Sequence, residues 1–140
     1  MSRLTPYGKQ FIGNSLFGQS IDIPPFWYLA LCSSAPTESA TGDQLSEPEG
    51  ISYQRAEYPN SPEYWIGSGY SVVANSNIIL FPVATEDWGA YGFWALCRSP
   101  HSGLVVATGE FNLDQIVDAG DQAAVDPFGV AFAVYQVSVL

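Results

Sequence analysis

The 140-residue sequence predicts an all-β fold, an antiparallel β-sandwich of jelly-roll or Greek-key type with one N-terminal helix or arm. Three observations carry this. Short apolar runs recur about every eight to twelve residues between Gly-, Pro-, Asn- and Ser-rich turns, enough for about seven or eight strands. The runs are too short for helices, and several are apolar on both faces, as strands covered on both sides must be. Helical spacing occurs only once, near the start.

That one segment is residues 4–18, where Leu4, Tyr7, Phe11, Ile12 and Leu16 recur at steps of three and four. Thr5 followed by Pro6 reads as an N-cap with proline in the first turn. Gly8 and Gly13 each weaken the helix by about 1 kcal/mol relative to alanine, so it needs a surface to pack on. We therefore divide the chain into an arm, residues 1–20, and a sandwich, residues 21–140. After Pro24-Pro25, the run Phe26-Trp27-Tyr28-Leu29-Ala30-Leu31-Cys32 is a strand covered on both faces. Residues 37–50 hold four acids and no periodicity, and read as a long surface loop. Residues 51–58 alternate as a strand, with Ile51, Tyr53, Arg55 and Glu57 on one side.

Residues 59–69 return to loop, an unusual setting for Tyr64, Trp65 and Ile66. Val72-Val73 leads into the central stretch, residues 75–98, with two core strands. Residues 77–81 form the first, ended by Pro82. After a loop or single helical turn at residues 85–89, with Trp88 plugging the core, residues 91–98 form the second. Its alternation places Tyr91, Phe93, Ala95 and Cys97 on one face and Gly92, Trp94, Leu96 and Arg98 on the other. Ser99-Pro100-His101-Ser102-Gly103 joins it to residues 104–111 as a hairpin. Residues 112–121 end in a turn, and residues 129–140 alternate as a long closing strand.

Composition narrows the function. A net charge of −10, with Arg3, Lys9, Arg55 and Arg98 as scattered bases, excludes a nucleic-acid surface, which needs clustered Lys and Arg. No apolar run approaches the roughly 20 residues that cross a bilayer, and the start lacks a signal-peptide stretch, so the expectation is a soluble chain not exported by its own signal. Cys32 and Cys97 lie in apolar strands outside any metal-ligand spacing. Buried free thiols are the first reading, a disulfide between neighbouring strands the second.

No nucleophile elbow, phosphate loop or dinucleotide fingerprint is present. The single histidine, His101, reads as an exposed turn residue. Glu86 and Asp87 are adjacent on one turn and do not flank a glycosidic bond at the roughly 5–9 Å that a carboxylate pair requires. Asp114, Asp118, Asp121 and Asp126 match no calcium-loop spacing and read as solvated turn acids. The sequence thus predicts no catalytic residue, cofactor or metal.

The order of several short pieces resembles small tailed-bacteriophage virion proteins labelled tail-fibre or minor-tail proteins. The pieces are Tyr28-Leu29-Ala30-Leu31, Ala35-Pro36-Thr37, Tyr53-Gln54-Arg55, Asn75-Ser76, Phe81-Pro82, Ala84-Thr85, Asp87-Trp88-Gly89 and Ala119-Gly120-Asp121, spread over most of the chain. The resemblance implies an all-β particle subunit without catalytic residues. On it rests the expectation of a virion structural protein assembled in the host cytoplasm, first a capsid decoration or cement subunit, alternatively a tail-fibre or baseplate module that meets host glycans through aromatic rings. Its expected partners are copies of itself, as a trimer, and the major capsid protein or another virion protein. The expected contact residues are Leu4, Tyr7, Phe11, Ile12 and Leu16 on the arm and Tyr64, Trp65 and Ile66 in the loop. A stable contact would need about 800 Å² per partner.

Overall fold

The computed structural model describes residues 2–17, 22–67 and 72–133. Within them lie ten strands and one α-helix: β1 (Arg3–Leu4), α1 (Pro6–Leu16), β2 (Phe26–Cys32), β3 (Ala56–Pro59), β4 (Trp65–Gly67), β5 (Val72–Asn75), β6 (Ile79–Val83), β7 (Gly89–Cys97), β8 (Val105–Val117), β9 (Gln122–Val125) and β10 (Ala131–Ala133). The large sheet runs β1-β8-β7-β2-β3; β10-β5-β4 and β6-β9 form two smaller sheets. All pairings are antiparallel. The fold is the expected all-β sandwich with an N-terminal helix.

The core is built from the inner face of the large sheet. Leu29, Leu31, Trp94, Leu96, Ala107 and Val117 meet Ile79 and Phe81 of β6, Val125 of β9 and Phe132 of β10. Trp88 plugs this core from the β6–β7 corner, as its position between turn formers implies. The β7–β8 hairpin turns where expected, but β8 continues to Val117, and β9 follows the turn expected at residues 118–121. Of the expected closing strand, Ala131–Ala133 is present and residues 134–140 lie outside the described residues. Residues 51–55 precede a strand that begins only at Ala56, and Ile51 is 96% exposed.

Two register shifts in the β7–β8 pair change which side chains reach the core. One falls between Tyr91 and Phe93, and it breaks the alternation. Tyr91 joins Trp94 and Leu96 in the main core, while Phe93 stays with Ala95 and Cys97 on the outer face. The other falls where Leu96 pairs Ala107 but Cys97 pairs Val105, leaving Val106 as an extra residue. The Val106 carbonyl accepts from the Thr5 backbone N–H at 2.9 Å, and Thr5 Oγ1 donates to the Val105 and Val106 carbonyls. Thr5 Oγ1 also accepts from the Gly8 N–H at 3.0 Å, so the predicted N-cap both starts α1 and fastens it to β8.

Gly8 has a purpose that helix propensity hides. A Cβ there would lie 2.2 Å from the Val106 oxygen, so only glycine lets the helix sit this close to the bulge. Gly13 has open space around it.

The outer face of the large sheet is a second, smaller apolar layer of Ala30, Cys32, Ala95, Cys97 and Val105. Among the described residues no strand covers it; its cover is the irregular segment 35–50, which contributes Leu45 and a short 3-10 turn, Gly42–Gln44.

Candidate functional site

The eight residues expected to contact neighbours divide according to what the fold does with them. Leu4 is 2% exposed, because it precedes the helix as part of β1, opposite Ala107, and faces the core. Tyr7 and Ile12 pack against that core from α1. Phe11 is half-buried in an aromatic cluster, 6.1 Å from the rings of both Tyr7 and Trp27. The Arg98 guanidinium lies over the Phe11 ring at 5.6 Å, donates to Tyr7 Oη at 2.8 Å, and reaches the Asp22 carbonyl at 2.7 Å. One of the four bases therefore ties the helix to the end of β7. Leu16 closes the helix, its side chain outside the described residues.

Residues 64–66 are not all loop. Trp65 opens β4, paired to Asn75 of β5, and turns inward. Its ring stands edge-on to Tyr58 at 5.2 Å, and its indole N–H donates to the Pro59 carbonyl at 2.9 Å. Tyr64 packs edge-on to Tyr58 at 5.5 Å, and its carbonyl accepts from Tyr58 Oη. Ile66, 40% exposed, points outward. The loop reading failed because turn formers surround a strand only three residues long, whose partner lies across another turn.

Two polar anchors escaped the sequence reading. Arg55 is buried and paired with Glu47, Nε to Oε1 and Nη2 to Oε2 both at 2.9 Å. Its remaining donors reach the carbonyls of Gly42, Ser99 and Ser102 at 2.8–3.0 Å. Burial works to lower the Arg55 pKa, but the hydrogen bond to Glu47 and the nearby negative groups outweigh it, so the charge is held more firmly than usual. Tyr53 donates to Glu47 at 2.7 Å, and burial first, then the Glu47 charge, raises its phenol. Asn75, also fully buried, donates to the Asn77 and Asp126 carbonyls and accepts from the Val130 N–H, fixing the turn before β10. Neither anchor has a short-range motif; both unite segments far apart in sequence.

The residues weighed for chemistry have structural work. Glu86 accepts from Thr85 Oγ1 and from the N–H and Oγ of Ser52, and these bonds pull its pKa down to about 2. Asp87 accepts from the Ala119 N–H at 2.8 Å. His101 is exposed in its turn. Cys32 and Cys97 are both free and buried, on adjacent strands, and burial pushes each thiol up to about 12. Their register explains the missing bond: Cys32 opposes Phe93 and Cys97 opposes Tyr28, two pleats apart along the pair. Among the described residues no group of three or more His, Cys, Asp and Glu is arranged to hold a metal ion, and no helix is long and apolar enough to cross a membrane.

An open groove of about 960 Å³ lies between the second half of β8 and the β9–β10 segment. Phe81, Trp94 and Val125 contribute to its floor, and Asn112, Asp121, Gln122, Asp126 and Phe128 stand along it. Amide and carboxylate groups beside an exposed aromatic ring suit a hydroxyl-rich ligand, since they supply donors, acceptors and a stacking face together.

A phage-fibre family model, described as Podophage GP4 fiber I protein gp80, matches residues 3–132. The chain belongs to that family. The match runs from β1 into β10 and takes in both anchors, the helix and nearly all of the groove lining. No curated protein matches the chain. Membership makes the chain a structural protein of a bacteriophage virion, in agreement with the resemblance drawn from its sequence pieces.

Proposed function

We propose that the protein is a non-enzymatic subunit of a phage tail fibre. The observation that carries this is the fibre-family match over residues 3–132. The same match gives no support to the capsid-decoration position expected first, and favours the fibre alternative. In this reading the chain is assembled into particles in the host cytoplasm and meets copies of itself or other virion proteins through side chains the fold leaves outside. Ile66 and half-buried Phe11 are the best placed of the expected contact residues. Ile78, Leu80 and Val83, all half-exposed or more, add an apolar ridge at β6. Quantitative mass spectrometry of purified particles tests the position: a handful of copies per particle is expected, and hundreds would return the chain to the capsid.

A second feature of the reading is contact with host-surface glycans. The polar and aromatic groups along the β8–β9 groove favour it. An isolated chain applied to a glycan array is expected to bind, and Phe128→Ala is expected to weaken that binding. Absence of binding to any glycan would leave the fibre role and remove the recognition role.

A further inference from the structure

Segment 35–50 covers the outer face of the large sheet with very few apolar side chains, whereas Tyr53 beyond it packs on Phe81 and Trp88 of the main core. Leu45 packs there half-buried, and Ala40 and Pro48 are buried, but most of the attachment is polar. The Ser33 N–H donates to the Ser46 carbonyl, the Ser34 N–H to Ser46 Oγ, and the Gly42 N–H to the Gly103 carbonyl at 2.7 Å. Arg55 gathers the rest, holding Glu47, Gly42 and the β7–β8 turn at Ser99 and Ser102 in one guanidinium.

Two glycines mark where the segment presses closest. A Cβ at Gly42 would fall 1.9 Å from the Ser102 oxygen, and one at Gly50 would fall 2.0 Å from Glu86 Oε1. Beneath lie five small or medium side chains, two of them the thiols of Cys32 and Cys97, both 0% exposed.

We propose that segment 35–50 is a strap latched at Glu47 by Arg55 and Tyr53, which lie outside it, and that it opens as a unit while the sandwich stays folded and uncovers Cys32 and Cys97 together. The reason is the difference in attachment. Cooperative opening units are those with few buried apolar contacts and many polar ones near solvent, and the strap has that character while the sheet-to-sheet core does not. Removing the carboxylate leaves the buried guanidinium without its counter-charge, which weakens the closed state specifically.

The test is thiol alkylation of the intact chain under native conditions. Iodoacetamide is the probe, mass spectrometry reads Cys32 and Cys97 separately, and tryptophan fluorescence follows global unfolding. In the unsubstituted protein both thiols are expected to alkylate at the same rate, faster than global unfolding allows and nearly independent of denaturant below the transition. Glu47→Gln is expected to speed both by roughly ten- to hundredfold, and Gly42→Ala, which disturbs the other attachment, to speed both as well. Alkylation that follows the steep denaturant dependence of global unfolding would overturn the proposal. So would unchanged rates in both variants, or exposure of one thiol without the other. The denaturant series needs no variant, so it decides the question even if a substitution prevents folding.

Discussion

The two faces of the large sheet are held by different physics. The inner face buries Leu29, Leu31, Trp94 and Leu96 against Ile79, Phe81 and Phe132, an apolar contact between sheets. The outer face buries Ala30, Cys32, Ala95 and Cys97 under a segment without strands, fastened by one guanidinium and a set of backbone bonds. Burial free energy scales with apolar area, so large side chains make the inner face the source of global stability. Polar attachment is geometrically demanding but nets only about 1 kcal/mol per bond, so the outer face specifies where a long loop lies more than it stabilises the domain.

Substitutions can sharpen this contrast. The largest effect is expected from Trp94→Ala, which empties an indole site 1% exposed in the main core. The cost should be about 3–5 kcal/mol, measured by denaturant unfolding. A cost below that of the polar substitutions would invert the comparison. Asn75→Ala comes next, because it strands the Val130 N–H and removes two bonds to carbonyls in the core-side turn. We expect a loss of about 1–3 kcal/mol.

The helix supplies a paired prediction of opposite signs. Gly13→Ala should stabilise by up to about 1 kcal/mol through helix propensity, since nothing lies within 4 Å of its Cβ. Gly8→Ala should destabilise, because its methyl group meets the Val106 carbonyl. Thermal melts of the two variants that moved in the same direction would show the helix free of the β8 bulge.

The smallest effect concerns pH. Glu86 is held below its ordinary value of 4.5, at about 2, first by its bonds from Thr85 and Ser52. A depressed carboxyl contributes stability that is fully present above the unfolded value and is lost as pH falls from about 4.5 through about 2. The melting-temperature gap between the parent chain and Glu86→Gln is therefore expected near neutrality and should shrink across that window. A gap that stays constant to pH 2 would detach Glu86 from the Ser52 loop. The side chain keeps access to solvent, being only partly buried, so the gap should be small.

Local signals carried some of this organisation and missed the rest for identifiable reasons. Thr5-Pro6 announced the helix start because capping acts over three residues. The run Phe26–Cys32 announced a strand covered twice, because only such a strand is apolar on both sides. The face of Tyr91 was misassigned because alternation assumes an unbroken register, and the shift before Phe93 depends on residues of β8 opposite it. The expected contact residue Leu4 is a core residue because β1 pairs with Ala107 and Thr108, about a hundred positions away. Strand β4 carries too few residues for any period to be read.

The sequence by itself determined the fold class, the N-terminal helix with its cap and the hairpin of β7 and β8, because each follows from neighbours within one turn or one strand. Only the tertiary structure decided that Arg55 would be buried with Glu47, that Asn75 would close a distant turn, and that Gly8 was required rather than tolerated. Those outcomes depend on which backbone groups arrive from elsewhere needing a partner or leaving no room, and long-range pairing alone sets that.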